Sequence, residues 1–474
     1  MPRKPLLSLL PALLMSIGAH AATPGNDGAT LNQIRETALA SDWAYERLAD
    51  LTDLVGPRLS GSAGEAAAVV QVAESMRKLG AKVTLQPVKV PHWVRGVETG
   101  ELVEYRGRPQ GVSQKIVLTA LGNSGATPAE GLTAPVIVIK SFEELKARAA
   151  EVKGRIVLFD VRFDQELADR GQAGQAYGQV TRYRGGGTRM AAEMGAVAAL
   201  VSSAGGGANR SAHTGSSGLQ DSARIPAAAV TVEDSLLMAR LAARGPISMK
   251  LTLTPRVLPD ADSFNVIADW PGTDKADEIV IVSGHLDSWD LATGANDDGA
   301  GVASAMGVIE TLKKLDYHPR RTIRVIAWAN EENGGRGSQA YMAANQTLMG
   351  KHFAAIETDN GSGRPFGIRS SAPVPAVKLL APLASALESI GAGVVQRADV
   401  LGSPDLRLLE EAGVPSFTPL LDTSSYFTYH HTAADTLDKV DPQNLKRHVA
   451  FLTSLTWYLA NMDQPIGRSV AAPK

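Results

Sequence analysis

Histidines and carboxylates gather just after the predicted strands of this chain. His285 and Asp287 follow the apolar run IVIV in SGHLDSWD, and Asp297 lies in the next loop, GANDDGAG. Further along, WANEENGG, ETD and YHHTAADT add four more such side chains. The complete set of candidate residues is His285, Asp287, Asp297, Glu331, Glu332, Asp359 and His431.

This set contains more negative charge than the sequence around it can balance. Carboxylates brought to one place repel one another and lose solvation, so a positive partner must lie among them. Arg336 is the nearest cation in the sequence, and one guanidinium does not balance five carboxylates. A pair of divalent metal ions would do so. The chain has no cysteine, so the ligands are imidazoles and carboxylates, which suit zinc best, with cobalt or manganese as substitutes.

The spacing within the set suggests separate roles for its members. Residues two apart on an extended segment point the same way, so Asp287 is expected to accept the second ring N–H of His285 and fix its tautomer. Asp297 is a candidate bridge between two ions, which two-metal hydrolases hold about 3.5–4 Å apart. The adjacent Glu331 and Glu332 allow one carboxylate to bind metal while the other acts as a base.

Three further aspartates have a structural interpretation. Asp290 and Asp298 lie where helix N-caps and turn formers are common, and Asp435 lies in the segment TAADT, which is typical of a loop or cap. We therefore predict that these three side chains hold backbone in place and do not bind metal.

The elements that must position the candidate residues indicate an α/β fold. The apolar strands EIVIVSG, TIRVIAWA, HFAAIETD, GAGVVQR and VPSFTPLL alternate with amphipathic helices. This pattern predicts a mixed, mostly parallel sheet sandwiched by helices. In open α/β sheets, ligands bind beyond the carboxyl ends of the strands, which is where the candidate residues fall.

A second unit interrupts this pattern between residues 116 and 250. Short strands such as KIVLTAL, APVIVI and GRIVLFDV, with glycine-rich loops and helices, predict an inserted small β/α domain. The glycine clusters lack Gly-Lys-Ser/Thr and the strand context of a dinucleotide fingerprint, so we predict no nucleotide site. The expected organisation is peptide-chain segments 22–115 and 251–466 forming the main domain, the insertion at 116–250, and a tail at 467–474.

The N-terminus predicts export. Arg3 and Lys4 precede the apolar segment Leu6 to Ile17, and Ala19 and Ala21 offer small residues for cleavage after Ala21. Residues 1–21 are therefore expected to be a signal peptide that directs the protein to the periplasm or the extracellular space. The apolar segment is shorter than the roughly 20 residues that span a bilayer, so we expect no membrane anchor. The net charge of −2 gives no basis for binding nucleic acid.

At the candidate residues the sequence resembles the zinc-dependent M28 peptidase family. The motifs GHLDSWD, GANDDGAG, WANEENGGRGSQAY, ETD and HHTAADT occur in that family's order and spacing. The segments GPRLSGS and VPHWVRG look like the family's N-terminal part, and residues 116–250 look like the protease-associated (PA) insertion of its larger members. The segment HTGSSGLQDSARIPAAAV looks closest to the plasma glutamate carboxypeptidase branch.

The resemblance implies two Zn²⁺ ions per chain and a role for each candidate residue. His285 and Asp359 would bind one ion, Glu332 and His431 the other, and Asp297 would bridge both. Asp287 would orient His285, and Glu331 would be the general base and acid. The resemblance also implies a cis peptide bond between Asp297 and Asp298.

One assignment within this set depends on the family pattern. The doublet His430-His431 offers two histidines at the last ligand position. His431 is preferred because it directly precedes Thr432, as in the family's His-Thr/Ser pattern.

The implied function is hydrolysis of peptide bonds at the end of short peptides or dipeptides. The sequence does not decide between aminopeptidase, carboxypeptidase and dipeptidase action. Tyr426 and Tyr429 are candidates for the substrate pocket, with core packing as the alternative. The competing interpretations are a glutaminyl cyclase, an acyl-amino-acid hydrolase and a non-catalytic receptor-like protein on the same fold. The PA-like insertion is a candidate for covering the site, filtering substrates or pairing two chains into a homodimer.

Overall fold

The computed structural model describes residues 25–207, 209–219 and 224–469, and the predicted signal peptide lies outside these ranges. Within them, the strands form two eight-stranded sheets. The strands are β1 (Lys82–Val94), β2 (Glu98–Glu104), β3 (Gln114–Ile116), β4 (Leu118–Ala120), β5 (Leu132–Ile139), β6 (Ile156–Phe159), β7 (Ala198–Ser202), β8 (Ala227–Val230), β9 (Ser248–Leu253), β10 (Arg256–Trp270), β11 (Lys275–His285), β12 (Arg321–Trp328), β13 (His352–Glu357), β14 (Pro365–Ser370), β15 (Val394–Arg397) and β16 (Ser416–Leu421).

The helices range from single turns to a twenty-residue element at the end of the fold. They are α1 (Gly28–Leu39), α2 (Trp43–Ala49), α3 (Ala63–Leu79), α4 (Phe142–Ala147), α5 (Ala149–Val152), α6 (Gln165–Leu167), α7 (Ala173–Arg182), α8 (Thr188–Glu193), α9 (Val232–Ala242), α10 (Ala300–Leu315), α11 (Arg336–Asn345), α12 (Val374–Val377), α13 (Ala381–Leu387), α14 (Arg407–Glu411), α15 (Tyr426–Tyr429) and α16 (Pro442–Asn461).

The first sheet is the mixed, mostly parallel sheet that the sequence predicts. Its strand order is β1-β10-β12-β11-β13-β16-β14-β15. The pairs β11–β12, β11–β13, β13–β16 and β14–β15 are parallel, and the three remaining pairs are antiparallel. The predicted fold class is confirmed.

Helices cover this sheet on both faces, because its central strand is apolar on both sides. Val280 and Val282 of β11 pack with the buried sides of α1, α3, α10 and α16. Ile279 and Ile281 point the other way and pack with residues of α11 and α14. An uninterrupted apolar strand therefore fits only at the centre of a three-layer sandwich.

The second sheet defines an inserted module that is larger than predicted. Its order is β3-β2-β9-β5-β6-β7-β8-β4. β2, which the sequence assigned to the main domain, pairs antiparallel with β9, and Leu102 of β2 is buried in the core that contains Met249 and Leu251. The module therefore spans residues 98–253, and the predicted range of 116–250 misses its first strand.

The register of the first sheet brings three strand ends together. His285 at the end of β11 lies opposite Trp328 at the end of β12, and Ser283 lies opposite Glu357 at the end of β13. The loops that follow these strands therefore leave the sheet at one edge.

In the ranges that the structure describes, no helix has the length and apolar character needed to cross a bilayer.

Candidate metal centre

The candidate residues converge at this edge in two groups that share one aspartate. His285, Asp297 and Asp359 form the first group, and Asp297, His430 and His431 form the second. In each group, the potential ligand atoms all lie within 4.8 Å of one another. Asp297 Oδ1 faces His285 Nε2 at 3.1 Å, while its Oδ2 lies 3.1 Å from His431 Nε2.

Glu332 joins the second group through His431. Its Oε2 lies 3.1 Å from His431 Nε2, and both side chains are buried. His430 Nε2 also comes within 3.3 Å of Asp297 Oδ2, and the two imidazole rings stack at 3.6 Å. The contact with Glu332 favours His431 as the ligand, while the geometry keeps His430 beside the same aspartate.

Backbone carbonyls orient both histidine rings. Nδ1 of His285 lies 3.0 Å from the carbonyl oxygen of Asp287, and Nδ1 of His431 lies 3.2 Å from that of Thr214. A carbonyl only accepts, so each Nδ1 carries the proton and donates it. Each ring therefore presents an unprotonated Nε2 to the centre when it is neutral, which is the form that binds metal.

The structure corrects the predicted contact of Asp287. Its carboxylate Oδ1 lies 3.9 Å from His285 Nδ1, which is beyond hydrogen-bond distance. The ring N–H of His285 donates instead to the backbone carbonyl oxygen of Asp287. The carboxylate instead accepts the backbone N–H groups of Glu331 and Glu332 at 3.0 and 3.3 Å and the hydroxyl of Ser60 at 2.9 Å. Asp287 thus fixes the loop that carries the two glutamates.

Asp435 holds Asp297 in place, as a capping residue does. Asp297 lies in the distorted turn Ala295–Gly299, where its backbone dihedral angles are not helical. Asp435 accepts hydrogen bonds from the backbone N–H groups of Asn296 at 2.8 Å and of Asp297 at 3.1 Å. The predicted structural role of Asp435 is confirmed, and its position beneath the shared aspartate ties that role to the site.

Asp298 also has the predicted structural role. It accepts hydrogen bonds from the backbone N–H of His285 and of Gly301, both at 3.1 Å, and so joins the end of β11 to the start of α10. The peptide bond between Asp297 and Asp298 is cis, as the family resemblance implied.

Asp290 lies in a turn, and its side chain makes an ion pair as well. Its carboxylate pairs with the guanidinium of Arg95 through contacts of 2.7 to 3.0 Å. Arg95 also donates to the carbonyl oxygen of Ala120 in the inserted module. The predicted turn position of Asp290 is confirmed, and its side chain also joins the two units of the fold through a partly buried ion pair.

The donor atoms fit a bound cation. Asp297 Oδ2 and Glu332 Oε1 are buried and have no hydrogen-bond partner among the described residues, although His431 Nε2 lies close to Asp297 Oδ2. Burial, together with the charge of Asp297, raises the pKa of Glu332 to about 7. An unpaired carboxylate oxygen that faces ring nitrogens, as Asp297 Oδ2 does, is an arrangement that a metal ion completes.

Glu331 differs from Glu332 in having no ion-pair contact with a histidine among the described residues. It is only half-buried, and its backbone N–H binds Asp287. Burial raises the pKa of Glu331 well above its usual value, and the charges of Glu332 and Asp359 add to this effect. The two adjacent glutamates therefore occupy different environments, since Glu332 is buried against His431 and Glu331 is partly exposed.

A buried arginine that the sequence analysis missed lies behind the centre. Arg58 is fully buried and donates to the carbonyl oxygens of Leu286 at 2.8 Å and of Gly294 at 3.0 Å. Burial lowers the pKa of Arg58 to about 10, and the charges of Asp435 and Asp287 oppose that shift. Arg58 therefore adds a fixed positive charge behind the carboxylates, whereas Arg336 is exposed. Nothing in the loop GPRLSGS distinguishes this arginine from a surface residue.

The inserted module reaches into the site, which the sequence did not reveal. Besides the carbonyl oxygen of Thr214 on His431, the ring of His213 hydrogen-bonds the carbonyl oxygen of His430 at 2.8 Å. The guanidinium of Arg184 lies 3.4 Å from His431 Nδ1. These residues lie far from the ligand motifs in sequence, so no spacing pattern could have connected them.

Aromatic residues divide between the site and the surrounding packing. Tyr177 of the module packs its ring edge-on against His430, at 4.9 Å between centroids. Tyr426 lines a cavity beside the centre, together with Asp359 and His430. Tyr429 is not among the described residues that line this cavity, and the ammonium group of Lys439 lies 5.6 Å from the centroid of its ring. A place for Tyr429 in the substrate pocket stays a prediction.

Comparison with known proteins identifies the class. A model of peptidase family M28 matches residues 265–456. Carboxypeptidase Q of Homo sapiens is 35% identical over 433 residues, covering 91% of this chain and 88% of that protein. The solved structure of the peptidase M28 precursor from Shewanella amazonensis SB2B is 34% identical with a TM-score of 0.86, and the match covers 94% of this chain and 99% of that one.

The chain therefore belongs to peptidase family M28, and peptides are its substrates. A more distant solved structure, an aminopeptidase from Aneurinibacillus sp. strain AM-1, shares the fold at 23% identity and a TM-score of 0.64, over 94% of this chain and 98% of that one. The family that the five motifs indicated is confirmed.

The substitution Arg58→Met tests the buried arginine. It leaves carbonyl oxygens without a donor and several carboxylates without their fixed countercharge, so we expect the free energy of unfolding to fall by about 3–5 kcal/mol. Urea denaturation in the presence of a metal chelator measures this loss. The control Arg77→Met changes an exposed arginine of α3 and should stay within about 0.5 kcal/mol of the wild type. Equal stability of Arg58→Met and the wild type would contradict the role given to Arg58.

Proposed function

We propose that the protein is an exported di-zinc exopeptidase that hydrolyses the terminal bond of short peptides or dipeptides. The observation that carries this proposal is the sharing of Asp297 by two groups of potential ligands. One carboxylate oxygen of Asp297 faces each group, so a single residue can bridge two ions. His285, Asp297 and Asp359 would hold one ion. Asp297, Glu332 and His431 would hold the other.

Zinc is the metal that the donor set suits best. All the donors are imidazole nitrogens and carboxylate oxygens, since the chain has no cysteine. When bound, a pair of zinc ions lowers the pKa of a water molecule and polarises the carbonyl group of the substrate. Cobalt and manganese, which accept the same donors, are the proposed substitutes.

Glu331 is the proposed general base and acid. Its side chain is half-buried and interacts with the charges of His285, Glu332 and Asp359, which are proposed to bind the two ions. A carboxylate in this position can take a proton from the attacking water and return it to the leaving amine. Asp287 supports this step as a positioning residue, because its carboxylate holds the backbone of Glu331 and Glu332.

The surroundings of the centre favour short substrates. A cavity of about 570 Å³ adjoins Asp359, and residues of the inserted module between positions 171 and 177 form part of its lining. Ligand pockets for small molecules typically measure ~300–1,000 Å³. Because the module lines one side of the cavity and also contacts His430 and His431, it limits the space on that side of the centre.

The substitution Glu331→Gln separates metal binding from proton transfer. It removes the proposed base and keeps the shape of the side chain, so we expect kcat on alanyl dipeptides to fall by roughly 100- to 10,000-fold. The zinc content, measured by inductively coupled plasma mass spectrometry, should equal that of the wild type. The control Glu388→Gln changes a glutamate at the end of α13, far along the chain from the site motifs, and should leave both quantities unchanged.

Two results would contradict this assignment. Full activity of Glu331→Gln with zinc bound would show that another group is the base. Wild-type enzyme that cyclises an N-terminal glutamine or cleaves only N-acylated amino acids, and leaves dipeptides intact, would replace the peptidase proposal with one of the alternative chemistries on this fold.

Export is proposed from the N-terminal pattern alone. The protein recovered from the periplasm or the medium of an expressing bacterium should begin at Ala22, because Ala19 and Ala21 offer small residues for cleavage. N-terminal sequencing of that fraction checks the expectation. Retention of the protein in the cytoplasm with residues 1–21 still attached would contradict it.

A further inference from the structure

The cavity beside the candidate metal centre extends from residues of the site onto the first sheet. Its inner end is formed by Asp359, His430 and Tyr426. Its floor is the face of the first sheet made by β14, β15 and β16, and the loop at residues 401–404 forms a wall. The centre and this floor belong to one continuous space, so a group bound on the floor lies in reach of a substrate bound at the centre.

Arg369 occupies the middle of the floor. It lies on β14, opposite Gln396 of β15 and opposite Thr418 of β16. All three residues line the cavity. The strand register therefore fixes a guanidinium between an amide and a hydroxyl on one face of the sheet, and each of these groups can donate a hydrogen bond.

The guanidinium of Arg369 has no charged partner. It donates a hydrogen bond to the side-chain oxygen of Gln396 at 3.4 Å. Across the described residues, no Asp or Glu forms an ion pair with it, although Arg397 on the next strand pairs with Asp399 at 2.7 Å. Arg369 is therefore a half-buried cation with free donors that face the cavity.

Asp359, which is proposed to bind zinc, is the only carboxylate among the described residues that line this cavity. If the Asp359 carboxylate binds metal, Arg369 is the remaining charged Asp, Glu, Lys or Arg side chain among the described residues that line the cavity. A planar guanidinium with free donors matches the two oxygens of a carboxylate.

We propose that Arg369, assisted by Gln396, binds a carboxylate of the peptide substrate on the C-terminal side of the scissile bond. This inference rests on the proposed function, because it places the scissile carbonyl group at the metal centre. Binding of the free C-terminal carboxylate there favours the release of C-terminal residues and disfavours substrates whose C-terminus is blocked. An acidic side chain on the C-terminal side offers the same chemistry, so the test must separate these two sources.

The substitution Arg369→Gln tests the site with three substrates on zinc-loaded enzyme. These are Ala-Ala, Ala-Ala-amide and Ala-Glu-amide. For Ala-Ala, we expect kcat/KM to fall roughly 10- to 100-fold, chiefly through KM, because a charge-assisted hydrogen bond is lost. Ala-Ala-amide, which has no carboxylate, should be cleaved at nearly the wild-type rate. Arg369→Lys, which keeps the charge without the planar fork, should recover part of the loss.

A matched control separates this effect from a general change in charge. Arg364→Gln removes an exposed arginine that precedes β14 and is not among the residues that line the cavity, so it should match the wild type on all three substrates. A loss confined to Ala-Glu-amide would support the site and identify an acidic side chain as its ligand. Equal kinetics of Arg369→Gln and the wild type on all three substrates would overturn the proposal.

Direct binding provides a readout that does not depend on turnover. Isothermal titration calorimetry of Ala-Ala with zinc-loaded Glu331→Gln and with the double variant Glu331→Gln/Arg369→Gln compares affinity at the same centre. We expect a roughly 10- to 100-fold weaker dissociation constant in the double variant, and equal constants would overturn the proposal. If wild-type enzyme cleaves no dipeptide, the proposed function fails, while this comparison still decides the role of Arg369.

Discussion

The repulsion among buried carboxylates at one sheet edge is the constraint on which the rest of this structure depends. Asp297, Glu332 and Asp359 lie beside one another with little solvent to screen them, and Glu331 lies next to them. Their burial raises the pKa of Glu332 and Glu331 and shows the cost of keeping charge there. A fold that retains such a cluster needs cations at fixed positions. The surrounding contacts hold the carboxylate oxygens and ring nitrogens around the positions that such cations would take.

Those contacts come from every part of the chain. Arg58 precedes α3, Asp287 follows β11, Asp435 lies before α16, and the carbonyl oxygen of Thr214 belongs to the inserted module. Each holds a backbone segment or a ring, and none is proposed to bind metal itself. The inserted module is thus part of the site, since it orients His431 and lines the adjacent cavity.

The sequence predicts the part of the structure that depends on local patterns. Apolar runs such as IVIV require a strand buried on both faces, and this requirement yields the sheet, its covering helices and the edge at which His285 lies. Contacts between distant segments leave no periodic signal. For this reason neither the role of Arg58 nor the pairing of β2 with the inserted module could be predicted. The contact of Asp287 was predicted wrongly because a local spacing rule cannot show that a backbone carbonyl competes for the same ring N–H.

The zinc content of the purified protein tests the central claim most directly. After equilibrium dialysis against zinc and removal of loosely bound metal, the wild type should hold two ions per chain. Asp297→Ala, which removes the shared carboxylate, should hold fewer ions and bind them more weakly, while the control Asp262→Ala at an exposed ion pair should keep two. A wild-type chain that binds no zinc or a single ion, or an Asp297→Ala variant that keeps two with unchanged affinity, would contradict the account.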